Sequence, residues 1–163
     1  MLPIRTILHP TDFSGNSGAA FQLACSLARD HGARLIAIHV VVPPIATFVE
    51  GGAMLPELEV DRDELMRELQ RLQVKAPDVA MEFRLLDGAP DIEILAAAKE
   101  TACDLIVMGT HGRTGFGRML IGSVAEQIVR KGPCPVLTLK SPLQAKVAQD
   151  VDAATQPCAE FVH

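Results

Sequence analysis

The sequence predicts an α/β protein with an open, mostly parallel five-stranded sheet and helices on both faces. Three observations carry this. Short apolar runs, as in strands buried on both faces, alternate with stretches whose apolar residues recur at helical spacing. The order is βαβαβαβαβ, and right-handed crossovers turn it into a parallel sheet. One run, residues 105 to 108, leads into a glycine-dense segment and then a helical pattern. That is how such a sheet offers backbone N–H groups to an anion.

Residues 4 to 8 read as the first strand, which runs into His9, Pro10, Thr11, Asp12, Phe13 and Ser14. Ligands of parallel sheets bind beyond the carboxyl ends of the strands, which places Asp12 to face one. The same residue type also caps helices, together with Ser14 or Ser17, and the residue alone leaves both readings open. A helix over 17 to 31 follows. Ala20, Ala24 and Leu27 form one apolar row, Phe21, Cys25 and Ala28 the next, and Gly32 the stop. The second strand, 34 to 41, carries His39, which is either a ligand or base or simply hydrogen-bonded near the sheet edge.

Residues 43 to 56 lack a period and are long for a connection; such loops are functional lids or mobile segments. Leu58, Leu65, Leu69 and Leu72 mark an amphipathic helix with a solvated outer face. The third strand, 79 to 86, is expected near the sheet edge because Glu82 and Arg84 interrupt it. Gly88, Ala89 and Pro90 open the next helix, with Asp91 and Glu93 suiting its positive end. Its buried side is Ile94, Leu95, Ala98 and Ala102. After the glycine segment, Val124, Ala125, Ile128 and Val129 pack a helix on the sheet, ended by Gly132 and Pro133. Residues 135 to 139 form the last strand, whose bare apolar edge invites pairing.

The glycine segment reads G-x-x-G, nine residues, then G-S: Gly109, Gly112, Gly122 and Ser123. No Lys-Ser or Lys-Thr follows a glycine, and Gly115 and Gly117 mimic only part of a dinucleotide fingerprint. Together with the stretch Pro10, Thr11, Asp12, Phe13 and Ser14, this spacing resembles the ATP-binding branch of the universal stress proteins, over about residues 3 to 140.

The resemblance implies a Rossmann-like fold of strand order 3-2-1-4-5 for residues 1 to 140, ATP as ligand, and a homodimer through the last strand; Mg²⁺ could accompany the phosphates, held mainly by them and by water. In that order the winding reverses between strands 1 and 4, so Asp12 and Gly109 lie on the two lips of one crevice. By the same resemblance, Pro10, Thr11, Asp12, Val40 and Met108 take the adenosine end, and Gly109 is small so that ribose comes close. Gly112, Arg113, Gly122, Ser123 and Val124 take the phosphates. His111 either touches phosphate or braces the loop.

Composition narrows the classes. At 163 residues the chain suits one domain with an aliphatic core, since Trp and Tyr are absent. A net charge of −5 with interspersed signs argues against nucleic acid. No run approaches the ~18 apolar residues of a membrane span, and the first residues lack a secretion signal, so a cytoplasmic location is expected. Cys25, Cys103, Cys134 and Cys158 contain no C-x-x-C pair and are expected as free thiols without a metal. Cys25 and Cys103 fall in helical patterns as small core residues. Residues 141 to 163 are expected as a flexible tail of no assigned function.

Fast ATPases and kinases need a metal-holding acid and a residue that orients the nucleophile. Only Asp12 is placed near the site. The expectation is therefore an ATP-binding stress-response regulator with slow or no turnover, acting on a protein partner the sequence does not name. One rival is an ATP-hydrolysing enzyme or one phosphorylating itself on Ser123 or Thr114; the other is an interaction module independent of nucleotide.

Overall fold

The computed structural model describes residues 3–43, 60–110 and 121–140. The elements are β1 (Thr6–Pro10), α1 (Gly15–His31), β2 (Arg34–Val41), α2 (Arg62–Lys75) and β3 (Met81–Asp87), then α3 (Pro90–Glu100), β4 (Leu105–Gly109), α4 (Ser123–Lys131) and β5 (Val136–Leu139). All five strands are parallel, in the order β3-β2-β1-β4-β5. This is the expected architecture.

Alternation along the strands divides the core in two. Ile7, Leu35, Ala37 and Val107 face α1 and α2, meeting Phe21, Ala24, Cys25, Ala28, Leu69 and Leu72. Leu8, Ile36, Ile38, Ile106 and Met108 face the other way, against Ile94, Ala97 and Ala98 of α3 and Ala125 and Ile128 of α4. The helices change face where the chain crosses from β3 to β4. Strands buried on both faces carry no polar side, which is why they read as continuous apolar runs.

Several boundaries differ from the sequence reading, each for a tertiary reason. β1 begins at Thr6 rather than Ile4. The Asp104 carboxylate accepts the N–H groups of Arg5 (2.8 Å) and Thr6 (2.9 Å), and Asp104 N–H in turn donates to Thr6 O (2.9 Å). Those backbone donors hold the Asp104 carboxyl below its usual range. Pro10, which lacks an N–H, is tolerated as the last residue of the strand. α1 starts two residues before Ser17 because Ser14 is the cap, its hydroxyl accepting Ser17 N–H. Gly32 stops it with φ +64°, as expected.

The third helix ends at Glu100, capped by Thr101. Ala102, expected on its buried side, is exposed at φ +46° in the turn that follows, and Ala97 takes the buried place instead. Cys103 is buried but lies in the connection to β4 rather than in a helix. On α4, Val129 is 49% exposed, whereas Ala125 and Ile128 are buried and Val124 packs beside them. β3 is an edge strand, and Arg84 joins Glu82 (2.6 Å) and Glu100 (3.0 Å) along it. Leu58, most of the 43 to 56 connection and the tail from residue 141 lie outside the described residues. Among those described, no helix is long and apolar enough to cross a membrane.

Candidate functional site: a crevice at the β1/β4 switch point

The carboxyl ends of β1 and β4 diverge into a crevice of about 590 Å³. The structure brings to it Pro10, Thr11, Asp12, Val40, Met108, Gly109, Gly122, Ser123 and Val124. His111, Gly112 and Arg113 lie outside the described residues, as do Thr114, Gly115 and Gly117.

On the β1 lip the turn after Pro10 is braced from within. Thr11 Oγ1 accepts from Phe13 N–H (3.1 Å) and from Ser17 Oγ (2.7 Å), and Thr11 N–H donates to Ile38 O (2.8 Å). The His39 ring donates from Nδ1 to Thr11 O (2.7 Å) and packs on the Phe13 ring, centroids 4.6 Å apart. His39 thus holds the turn while lining the crevice, and it does so from β2, an interior strand rather than an edge. Phe13 adopts φ +62°, a conformation a bulky residue enters only when its surroundings impose it.

Asp12 lines the crevice and also braces the helix start. Its Oδ1 accepts from Ser14 N–H (3.1 Å) and Ser14 Oγ (2.7 Å), steadying the residue that caps α1. Its Oδ2 is buried and, among the described residues, has no partner. A buried carboxylate oxygen left unpaired is costly, so this atom is suited to a donor brought by a ligand.

The opposite lip is the start of α4. Gly122 caps the helix with φ −76° and ψ 157°, angles open to any residue, and its N–H donates to Thr110 O (2.7 Å). The first N–H to bond within the helix is that of Glu126, to Gly122 O (2.9 Å). The N–H groups of Ser123, Val124 and Ala125 precede that bond and have no acceptor inside the helix. They carry its partial positive charge into the crevice. A Cβ at Gly109 would lie 3.2 to 3.3 Å from Asn16, tighter than ordinary contact, so packing against the first turn of α1 also favours a small residue at this position.

The sequence reading missed an apolar wall. Val41, Val42, Val60, Leu65, Pro90 and Ile94, from the end of β2 and the starts of α2 and α3, line one side of the crevice. They suit the flat face of a base. The run Val40 to Val42 was the available signal; the others are scattered through the chain.

His9 was also missed. It is fully buried on β1, its Nδ1–H donating to Val107 O (2.8 Å) and its ring 5.7 Å from that of Phe21. Burial lowers its pKa from 6.5 to about 4. Between those values the unfolded chain binds a proton that the folded chain refuses, so stability is fully present above pH 6.5 and falls as pH drops towards 4. At 1.36 kcal/mol per pH unit, the loss is about 3 kcal/mol. Urea unfolding at pH 7 and pH 4 should therefore show the stability difference between wild type and His9→Gln shrinking by that amount. A difference that ignores pH would mean that His9 takes up a proton as readily in the folded as in the unfolded chain.

The sequence profile of the universal stress protein family matches residues 3–140. A universal stress protein of Methanocaldococcus jannaschii is 36% identical over 141 residues, covering 85% of this chain and 83% of its own. A universal stress protein family structure from Burkholderia pseudomallei superposes with TM-score 0.68 at 31% identity, over 86% of this chain and 99% of the other. Two more distant structures share the fold: a universal stress protein in complex with cAMP (TM-score 0.63, 24% identity, 85% of this chain and 98% of the other) and the Archaeoglobus fulgidus protein in complex with dAMP (TM-score 0.59, 20% identity, 85% and 98%).

Proposed function

This chain belongs to the universal stress protein family, and from that premise we propose that it is a regulatory protein that binds an adenine nucleotide, ATP foremost, in the β1/β4 crevice. One observation carries the reading. One crevice is lined both by Asp12, whose buried Oδ2 has no partner among the described residues, and by a helix start whose first N–H groups have no helical acceptor. The first is chemistry for hydroxyl or amine donors of a nucleoside, the second for phosphate.

In this arrangement Asp12 Oδ2 accepts from the sugar or base, and the apolar wall with Val40 and Met108 shields the base from water. Ser123 and Val124 donate N–H groups to phosphate oxygens, and Ser123 adds its hydroxyl. Gly122 leaves room for them. Gly112 and Arg113 join the phosphate side by family resemblance, and His111 either joins them or braces the loop. The residues fit such a ligand, and cAMP and dAMP are adenine nucleotides held by proteins of the same fold. Mg²⁺ arrives with the phosphates and is held by them and by water.

Of the described lining residues, Asp12 alone carries a carboxylate, and its Oδ1 is engaged by Ser14. That supports slow turnover or none. Protein purified without added nucleotide and then denatured is expected to release ATP near one per chain on mass spectrometry. Turnover of ~1 s⁻¹ or more, within the ordinary enzyme range, would overturn the regulatory reading, as recovery of ADP alone would point to a hydrolase. A homodimer through β5 completes the proposal. The β3 edge is charged by Glu82 and Arg84, whereas β5 presents Val136, Leu137, Thr138 and Leu139 without charge. Sedimentation velocity reads that state directly.

A further inference from the structure

Two thiols meet at the end of the sheet opposite the crevice. Cys103 Sγ lies 3.5 Å from Cys134 Sγ, although the residues are 31 positions apart in sequence. Cys103 is buried just before β4, its N–H bonded to Ala98 O (3.3 Å) after the left-handed turn at Ala102. Cys134 is half-buried just before β5, between Pro133 and Pro135, whose rings fix the local backbone. Neither sulfur has a role in the fold or in the crevice that needs a thiol. By contrast Cys25, buried under α1, has no other described cysteine beside it.

We propose that Cys103 and Cys134 are a peroxide-oxidisable pair that closes reversibly to a disulfide, stapling the start of β4 to the connection between α4 and β5. Cys134, the more exposed, reacts first: its thiolate attacks one peroxide oxygen, the O–O bond breaks, and the departing hydroxide takes up the proton the thiol had released, so the products are a sulfenic acid and water. The Cys103 sulfur, already in contact, then attacks the sulfenic sulfur. The S–S bond forms as the S–O bond breaks, and a second water leaves with the Cys103 proton. In sum, two thiols lose two electrons and one peroxide is reduced to two waters. Burial pushes the Cys103 thiol up to about 12 and raises that of Cys134, so little thiolate is present at neutral pH and the pair responds to sustained rather than brief oxidant. The closed form shortens the unfolded chain's freedom between the two residues and is expected to melt higher.

The test uses the full chain with hydrogen peroxide, followed by alkylation and non-reducing peptide mapping. The expected product is a Cys103–Cys134 linked peptide, with Cys25 and Cys158 alkylated, a raised Tm, and full reversal by dithiothreitol. A link through Cys158, a link between chains, or sulfinic acid at Cys134 with Cys103 still alkylatable would each overturn the pairing. A second measurement uses Cys103→Ser, which removes the resolving sulfur while nearly conserving volume. Trapping of Cys134 sulfenic acid by a dimedone probe is expected to rise several-fold over wild type; equal trapping overturns the mechanism.

Discussion

Replacing Gly122 with valine is expected to weaken adenine-nucleotide binding by about a hundredfold, while the protein still folds. The substitution places a branched side chain at the mouth of α4, where phosphate is proposed to rest. Overpacking of that kind costs on the order of 3 kcal/mol, and each 1.4 kcal/mol is tenfold in affinity. The backbone itself does not object, since φ −76° and ψ 157° are as open to valine as to glycine. Loss of a preferred capping residue should lower stability by only about 1 kcal/mol. Isothermal titration of folded Gly122→Val with ATP decides the matter. Affinity within a few-fold of wild type would mean that the phosphates lie elsewhere.

The second large effect is expected at Asp12, where binding and stability should part company. Asp12→Asn keeps an oxygen for Ser14 but replaces the charged acceptor that faces the crevice. Hydrogen bonds to a charged group contribute about 1.5–3 kcal/mol, so affinity should fall roughly tenfold to a hundredfold. The free protein, which exchanges a carboxylate oxygen with no partner among the described residues for a neutral amide of the same size, should melt no lower than wild type. Titration calorimetry paired with thermal unfolding reads both. A drop in melting temperature without loss of affinity would assign Asp12 to bracing the turn alone.

Much of the fold was legible because each element carries its own signal: Ser14 and Gly32 bracket α1, Pro90 opens α3, and uniformly apolar strands announce a sheet covered on both faces. What escaped was set by contacts distant in sequence. β1 starts where Asp104, ninety-eight positions away from Thr6, binds its backbone, and no local pattern records that. Ala102 continues the helical period of α3, yet the chain turns at Thr101. The glycine lip of the site was visible as a spacing, whereas the apolar wall from Val60, Leu65, Pro90 and Ile94 exists only after folding. His9 gave no sign, because a lone histidine in a strand looks the same whether buried or wet.

The bonds that Asp104 makes to Arg5 and Thr6 also have a metrical consequence. They level the two central strands at one end of the sheet, with Ile7 beside Leu105 and Leu8 beside Ile106. From the paired Ile7 and Leu105, β1 runs four residues to Pro10 and β4 five to Gly109. At about 3.3 Å per residue, the two strands end within one residue's rise of each other above that common baseline. Removing one residue from either strand would sink one jaw by about that step and turn the side chains beyond it inside out. The chain can therefore vary the identity of its strand residues far more freely than their number. The relative height of the two lips of the crevice is kept by counting.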